Sequence, residues 1–269
     1  MGLARLGADR AWSPLVGALG WVRHWVAFAG RTAFFGSVSL LIGPLTPERR
    51  ACLWAMRTWS RSCLRFLRVS VDLQGLDNIP DGSFAYACNH QSLLDTLLLA
   101  ATLPGDVKWA VKTSLLKIPF LGWHLWLAGH VRIDRSGGGR AAVSTVDRFA
   151  QVLQKGKPLL VFPEGTRSRD GSVKPFKKGL FYAAARVGVP VVPVALHGTG
   201  AVMGKGAADM TSSRGTHGDT QRVHVRIGVP LRPSLDGPES RRAAELRDRT
   251  RAAVIEMHRM LVEAECEQA

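Results

Sequence analysis

The sequence predicts an α/β fold, a mixed and largely parallel sheet flanked by helices, with a helical segment ahead of it that associates with a membrane. Three observations carry this expectation. Short apolar runs alternate with longer stretches of helical periodicity from residue 69 onward. Residues 11–47 are mostly apolar. Lys and Arg number 36 against 21 Asp and Glu, a formal net charge of +15 that suits an anionic partner: nucleic acid, an anionic membrane surface or a phosphorylated substrate. With 46% hydrophobic and 21% charged residues, wholesale disorder is excluded. The four cysteines, Cys52, Cys63, Cys88 and Cys266, form no CxxC pair, and the eight histidines are scattered. Neither a disulfide framework nor a metal site is expected, and the free thiols suit a reducing compartment.

The organisation divides at residue 68, with membrane-associating helices in 1–68 and an α/β domain in 69–269. In the apolar part, Arg23, His24 and Arg31 interrupt the run, and the longest stretch free of charge and histidine is Thr32–Pro47, 16 residues. As a helix that stretch reaches about 24 Å, short of the roughly 30 Å hydrocarbon core. It also contains Gly36, Gly43 and Pro44. Two short helices dipping into one leaflet, with Trp12, Trp21 and Trp25 near the interface, fit better than a signal peptide, and a tilted spanning helix is the alternative. Glu48–Arg68 reads as an amphipathic helix whose Arg57, Arg61, Arg65 and Arg68 form a basic stripe. Such a stripe can rest on anionic lipid, or be the solvated face of an ordinary helix.

Strands are expected at Val69–Leu73, Phe84–Cys88, Val107–Val111, His130–Ile133, Leu159–Phe162, Val191–Leu196 and Val223–Ile227. Helices are expected at Leu93–Leu103, Ser114–Ala128 in pieces, Arg140–Lys155, Lys178–Val187 and Ser240–Ala264. The polar, Gly- and Ser-rich stretch Met203–Arg222 reads as a mobile loop, and Gly137-Gly138-Gly139 as a flexible link outside any GxGxxG context.

Chemistry concentrates after the apolar strands. Asn89-His90-Gln91-Ser92-Leu93-Leu94-Asp95 follows the strand ending at Cys88. On one continuous helix His90 and Asp95 would lie about 140° apart. They meet if His90 sits on the preceding loop, Ser92 caps the helix and Asp95 lies in its first turn. The carboxylate then fixes the imidazole tautomer and leaves the other nitrogen free to take a proton. Ser92-x-x-Asp95 also fits a capping box, which would need no catalysis.

Phe162-Pro163-Glu164-Gly165-Thr166-Arg167-Ser168 follows another strand. Glu164 can accept from a glycerol hydroxyl, Gly165 permits close backbone approach, and Arg167 offers a planar fork for phosphate. Lys174, Lys177 and Lys178 add positive potential, although a basic surface turn needs no function. Lys112 and Arg135 both follow strands and can face the same end of the sheet. Asp134–Arg135 reads equally as a structural ion pair. Val189–Ala195 can line an acyl pocket or simply pack the core.

Taken in order over residues 69–200, these segments resemble the glycerolipid acyltransferases, in particular the 1-acylglycerol-3-phosphate acyltransferases. The specific matches are HxxxxD at His90 and Asp95 and FPEGTRS at Phe162–Ser168. One departure stands in the second block, where Arg132 occupies a usually aromatic or aliphatic position. The resemblance implies that His90 is a general base, Asp95 its orienting partner, and that Arg135, Glu164, Gly165 and Arg167 handle the glycerol phosphate; Lys112 and Thr166 are further candidates for substrate binding. It implies acyl transfer from acyl-CoA or acyl-carrier protein to the sn-2 hydroxyl of lysophosphatidic acid, forming phosphatidic acid. No cofactor beyond the donor thioester and no metal is expected.

The expected setting is the cytoplasmic face of a membrane with anionic lipid. Rival readings are an acyltransferase for another lysolipid, such as a lyso-ornithine lipid, or for glycerol-3-phosphate. A hydrolase is disfavoured by the absence of a GxSxG elbow. A nonenzymatic basic module is permitted by charge, but no aromatic-basic signature or helix-turn-helix points to nucleic acid.

Overall fold

The structure is a computed structural model and describes residues 14–134, 138–203 and 220–268. The described residues open with α1 (Pro14–Ile42), two 3₁₀ turns (Gly43–Leu45 and Pro47–Arg49) and α2 (Arg50–Phe66). There follow β1 (Val69–Gln74), β2 (Ala85–Cys88), α3 (Leu94–Thr102), β3 (Lys108–Lys112), α4 (Leu121–Leu127), β4 (Val131–Ile133) and α5 (Gly138–Gln154). The rest comprises β5 (Leu159–Val161), α6 (Gly179–Val187), β6 (Val191–His197), the single turn α7 (Thr199–Val202), β7 (Gln221–Ile227) and α8 (Glu239–Gln268).

The strands form one sheet in the order β1-β7-β6-β2-β5-β3-β4. All neighbours pair in parallel except β6 and β7, which are antiparallel. The mixed, largely parallel sheet is therefore present, and β2 lies at its centre between β5 and β6. Both faces are covered, which is why the inner strands read as continuous apolar runs. Tyr86 and Cys88 join Leu97, Leu98, Cys63 and Leu64 on the side of α2 and α3, whereas Ala85 and Ala87 join Phe149, Phe181 and Leu246 on the side of α5, α6 and α8. β6 alternates likewise, with Val191 and Ala195 on one side and Val192, Val194 and Leu196 on the other. Its apolar residues fill both halves of the core.

The N-terminal segment departs from expectation. It is one helix of 29 residues rather than two short ones. Two of the three polar side chains that interrupt the run, His24 and Arg31, pack against α2, and Arg23 is exposed. The Arg31 guanidinium lies 4.3 Å from the centre of the Phe66 ring and donates to the Ala27 carbonyl. His24 packs against the same ring, and Trp59 donates to the Thr32 hydroxyl. By length and composition Val22–Leu45 is long and apolar enough to cross a membrane, and only 17% of its most apolar window is buried in the protein.

The basic stripe on α2 finds a partner that spacing alone did not suggest. Arg57 donates to the carbonyls of Leu103 and Gly105, and Arg61 to that of Ala101. These are carbonyls at or just past the C-terminal end of α3, where the helix has no acceptor bonds of its own and carries partial negative charge. Arg65 remains exposed, and Arg68 lies beyond the helix at φ +53°. Two of the four arginines thus clamp α2 to α3, although Arg61 stays exposed. Two further expectations change: Gly138 and Gly139 open α5, and Gln221 and Arg222 begin β7. Gly137 and residues 204–219 of the expected loop lie outside the described residues.

Two of the contacts that join α1 to the α/β layer are specific in geometry. A buried hydrogen bond of 2.7 Å joins Ser39 Oγ to His124 Nδ1 in α4. At Gly36 a Cβ would stand 2.7 Å from Phe120 Cβ, so only glycine allows this approach. Gly30, by contrast, has nothing near its missing Cβ. Gly36→Leu is therefore expected to lower stability by about 1–3 kcal/mol through overpacking. Gly30→Ala should raise it by roughly 0.5–1 kcal/mol through helix propensity. Thermal unfolding of the two variants beside the parent checks both signs.

Candidate active site

β2 delivers the chain to the carboxyl edge of the sheet, where loops from neighbouring parallel strands converge. Asn89, the next residue, is buried and bridges to β6: its amide donates to the Leu196 carbonyl (2.9 Å) and its oxygen accepts the Leu196 N–H (2.7 Å). This side chain takes over the ladder where the strand ends, and it turns the following residue out of the sheet.

His90 sits on the loop and Asp95 in the first turn of α3, with Nδ1 and Oδ2 2.7 Å apart. Asp95 is fully buried, yet all its lone-pair demand is met. Oδ2 accepts from the His90 ring and from the backbone N–H groups of Gln91 (2.7 Å) and Ser92 (2.9 Å), and Oδ1 accepts from the Thr199 hydroxyl (2.5 Å). Ser92 Oγ in turn accepts the Leu94 N–H. Helix capping and imidazole orientation, posed as alternatives, are done by the same carboxylate. Because an ionised carboxylate can only accept, Nδ1 carries a proton and neutral His90 presents a bare Nε2 lone pair. The histidine side chain retains 15% exposure, enough for a substrate to reach it.

The Phe162–Ser168 segment follows β5, the strand beside β2, and it encloses His90. The Phe162 ring stacks on the imidazole at 4.0 Å and 17°. Glu164 Oε1 accepts the His90 N–H (3.1 Å), and the Ser168 N–H donates to the His90 carbonyl (2.7 Å). Glu164 is only 5% exposed, and its Oε2 is buried with no hydrogen-bond partner. Burial pushes its carboxyl up to about 7, against the opposing pull of the His90 N–H and Lys174. Gly165 has φ +73°, and the Lys177 side chain fills the place a Cβ would need. Thr166 is exposed and Arg167 half-buried at the turn.

Lys112 is exposed at the end of β3, on the same edge of the sheet as Cys88 and Val161, and Arg135 lies outside the described residues. A largely apolar groove of about 580 Å³ starts at Phe162 and Gly165 and runs between α5 and α6 past Val146, Phe149 and Tyr182. Among the described residues, no cluster of His, Cys, Asp or Glu could hold a metal ion.

Several members of the site escaped the sequence. Asn89, Phe162 as a stacking ring, Ser168 and Thr199 act across strand boundaries, and nothing in local spacing marks them. The Gln91 amide adds another long link, donating to the Gly171 carbonyl and lying 2.8 Å from His258 Nε2 in α8.

The raised Glu164 carboxyl has a measurable consequence. The folded protein holds this proton at pH values where the unfolded chain has lost it, so stability falls as pH rises from the usual glutamate range towards 7. Glu164→Gln keeps an acceptor for the His90 N–H and is expected to flatten that part of the curve of melting temperature against pH. An unchanged slope would mean that Glu164 is ionised there.

The sequence profile of a family described as Acyltransferase matches residues 70–197. A 1-acyl-sn-glycerol-3-phosphate acyltransferase of Pseudomonas aeruginosa is 31% identical over 245 residues, which cover 90% of this chain and 91% of the relative. The chloroplastic 1-acyl-sn-glycerol-3-phosphate acyltransferase LPAT1 of Arabidopsis thaliana is 37% identical over 77% of this chain and 57% of its own length. BAT2 of Brassica napus, a chloroplastic protein of the same name, is 41% identical over 60% of this chain and 44% of its own. The chain thus spans about half the length of these plant relatives. The crystal structure of the 1-acyl-sn-glycerophosphate acyltransferase PlsC from Thermotoga maritima superposes with a TM-score of 0.72 at 26% identity, covering 90% of this chain and 96% of that one. On the strength of the shared motifs, the common fold and near full-length similarity to the Pseudomonas relative, this chain belongs to the 1-acyl-sn-glycerol-3-phosphate acyltransferase family.

Proposed function

We propose that the protein transfers a fatty acyl group from acyl-CoA or acyl-carrier protein to the sn-2 hydroxyl of lysophosphatidic acid, yielding phosphatidic acid. The observation that carries this reading is an imidazole held through Nδ1 by a fully buried carboxylate, beside a turn bearing Arg167. His90 Nε2 takes the hydroxyl proton as the oxygen attacks the thioester carbonyl. The C–O bond forms, the C–S bond breaks, and the departing sulfur receives the proton from the imidazolium. Asp95 favours the imidazolium while it exists, and general-base help of this kind is worth about 10²–10⁴-fold in rate. The thioester is already activated and the acceptor hydroxyl is the nucleophile, so the scheme draws on no enzyme nucleophile, metal or further cofactor.

Arg167, Thr166, Lys112 and Arg135 are assigned to the acceptor phosphate, with Gly165 allowing close approach of the backbone. Glu164 acts in this scheme chiefly through the His90 backbone, a different task from the glycerol contact that its position in the motif suggested. The work is placed at the cytoplasmic face of a membrane; the long apolar α1 supports the association with lipid.

His90→Ala is expected to abolish thioester consumption, and Asp95→Asn to lower kcat by two or more orders of magnitude. Arg167→Ala should raise KM for the phosphate-bearing acceptor more than it lowers kcat. Lipid mass spectrometry with lysophosphatidate, a lyso-ornithine lipid and glycerol-3-phosphate offered beside one labelled donor tests the acceptor. Near-normal turnover by His90→Ala would remove the assignment.

Thr199→Val leaves the size of the side chain nearly unchanged but strips Asp95 Oδ1 of its donor. Turnover is expected to fall roughly tenfold, about the cost of one buried hydrogen bond to a charged group. Thr199→Ser should restore it, and a Thr199→Val enzyme with parental kcat would show that this hydroxyl does not matter.

A further inference from the structure

α4 exposes two tryptophans one turn apart. Trp123 is 51% and Trp126 71% exposed, on the same side of the helix, while His124 between them points inward to Ser39. Ile118, just before the helix, is also exposed. Indole rings are large and apolar with one polar N–H, so a water-facing pair on a seven-residue helix sacrifices burial that the fold could otherwise use.

The neighbouring elements repeat the pattern. The end of α1 abuts the end of α4, where Leu40 packs with Leu127, and Gly43 leaves no room for a Cβ between Cys52 and Leu127. Around this junction Leu41, Ile42 and Leu45 are exposed, Leu45 by 82%, and Trp54 of α2 is exposed as well. A patch of this composition marks an interaction site rather than ordinary surface.

Its rim is cationic. Lys117 precedes Ile118, and Arg49 and Arg50 flank the other end of α4, where Arg49 donates to the Leu127 carbonyl. The acids nearby are Glu48 and Asp106, and both are engaged by Lys157. Apolar aromatic centre and unbalanced positive rim are complementary to one kind of surface, a bilayer with anionic headgroups. A second copy of the chain would bring two such rims together, like charge against like.

We infer that α4 is a membrane-docking element of the α/β domain itself, inserting Trp123 and Trp126 at the headgroup level of an anionic bilayer beside the exposed end of α1. The inference stands on surface chemistry alone and survives even if the acyl-transfer reading fails. α4 joins the parallel strands β3 and β4, running from the carboxyl edge of the sheet back to its amino edge, where the Lys108 ammonium at the start of β3 donates to the Ala128 carbonyl.

The test uses the full chain with Cys266→Ser, since Cys266 is exposed and Cys52, Cys63 and Cys88 are buried. Trp126→Cys is labelled with an environment-sensitive NBD fluorophore. A control label goes on Leu235→Cys, exposed in the connection between β7 and α8. Vesicles of phosphatidylglycerol with phosphatidylcholine are expected to brighten and blue-shift the label at 126 several-fold, pure phosphatidylcholine far less, and the control not at all. Three results would overturn the inference. One is a water-like label at 126 while the protein sediments with the vesicles, which means attachment by α1 alone. Another is the absence of any vesicle binding. The third is brightening that follows protein concentration without lipid, the mark of self-association.

Discussion

The architecture of the site depends on one buried carboxylate. Asp95 has no access to water, and a charge in that position is tolerable only if donors surround it. The four it has come from two places in the chain: the His90 ring and the Gln91 and Ser92 peptide groups just before α3, and the Thr199 hydroxyl after β6. Satisfying the charge therefore folds the site. The loop after β2 is drawn onto the helix start, the turn after β6 is drawn onto both, and the imidazole is left in the one tautomer that can accept a proton on its outer nitrogen.

A second layer of constraint comes from the strand on the other side of β2. Phe162 covers one face of the imidazole, while Glu164 and Ser168 occupy the peptide N–H and C=O of His90. The ring is thus restrained by its edge, its face and its backbone, three independent controls on one side chain. Glu164 accepts a raised affinity for protons in return for this position, which is a cost of taking a carboxyl out of water. The FPEGTRS segment is accordingly a scaffold for the His90 imidazole.

The inner strands β2, β5 and β6 were legible within a residue or two because their burial on both faces leaves apolar runs, and HxxxxD was legible because loop, cap and first turn supply a local geometry in which the pair can meet. Thr199, Asn89 and the Phe162 stack were not legible, since each depends on β2 lying between β5 and β6, and sheet order leaves no trace in nearby residues. α1 was misjudged for a related reason: the sequence displays Arg31 and His24 as interruptions and says nothing of the Phe66 ring that receives them. The arginine stripe of α2 shows the same split. Its spacing was plain, but its acceptors belong to a helix some 40 residues later.

The clamp between α2 and α3 carries a mechanical implication. α3 is a nine-residue rod, about 13 Å long at 1.5 Å per residue, gripped near its C-terminal end by Arg57 and Arg61 and at its start by the hydrogen bonds of Asp95. A lever so short and so firmly held at both ends transmits displacement with little give. Any rocking of α2 would be passed along α3 to the His90–Asp95 pair.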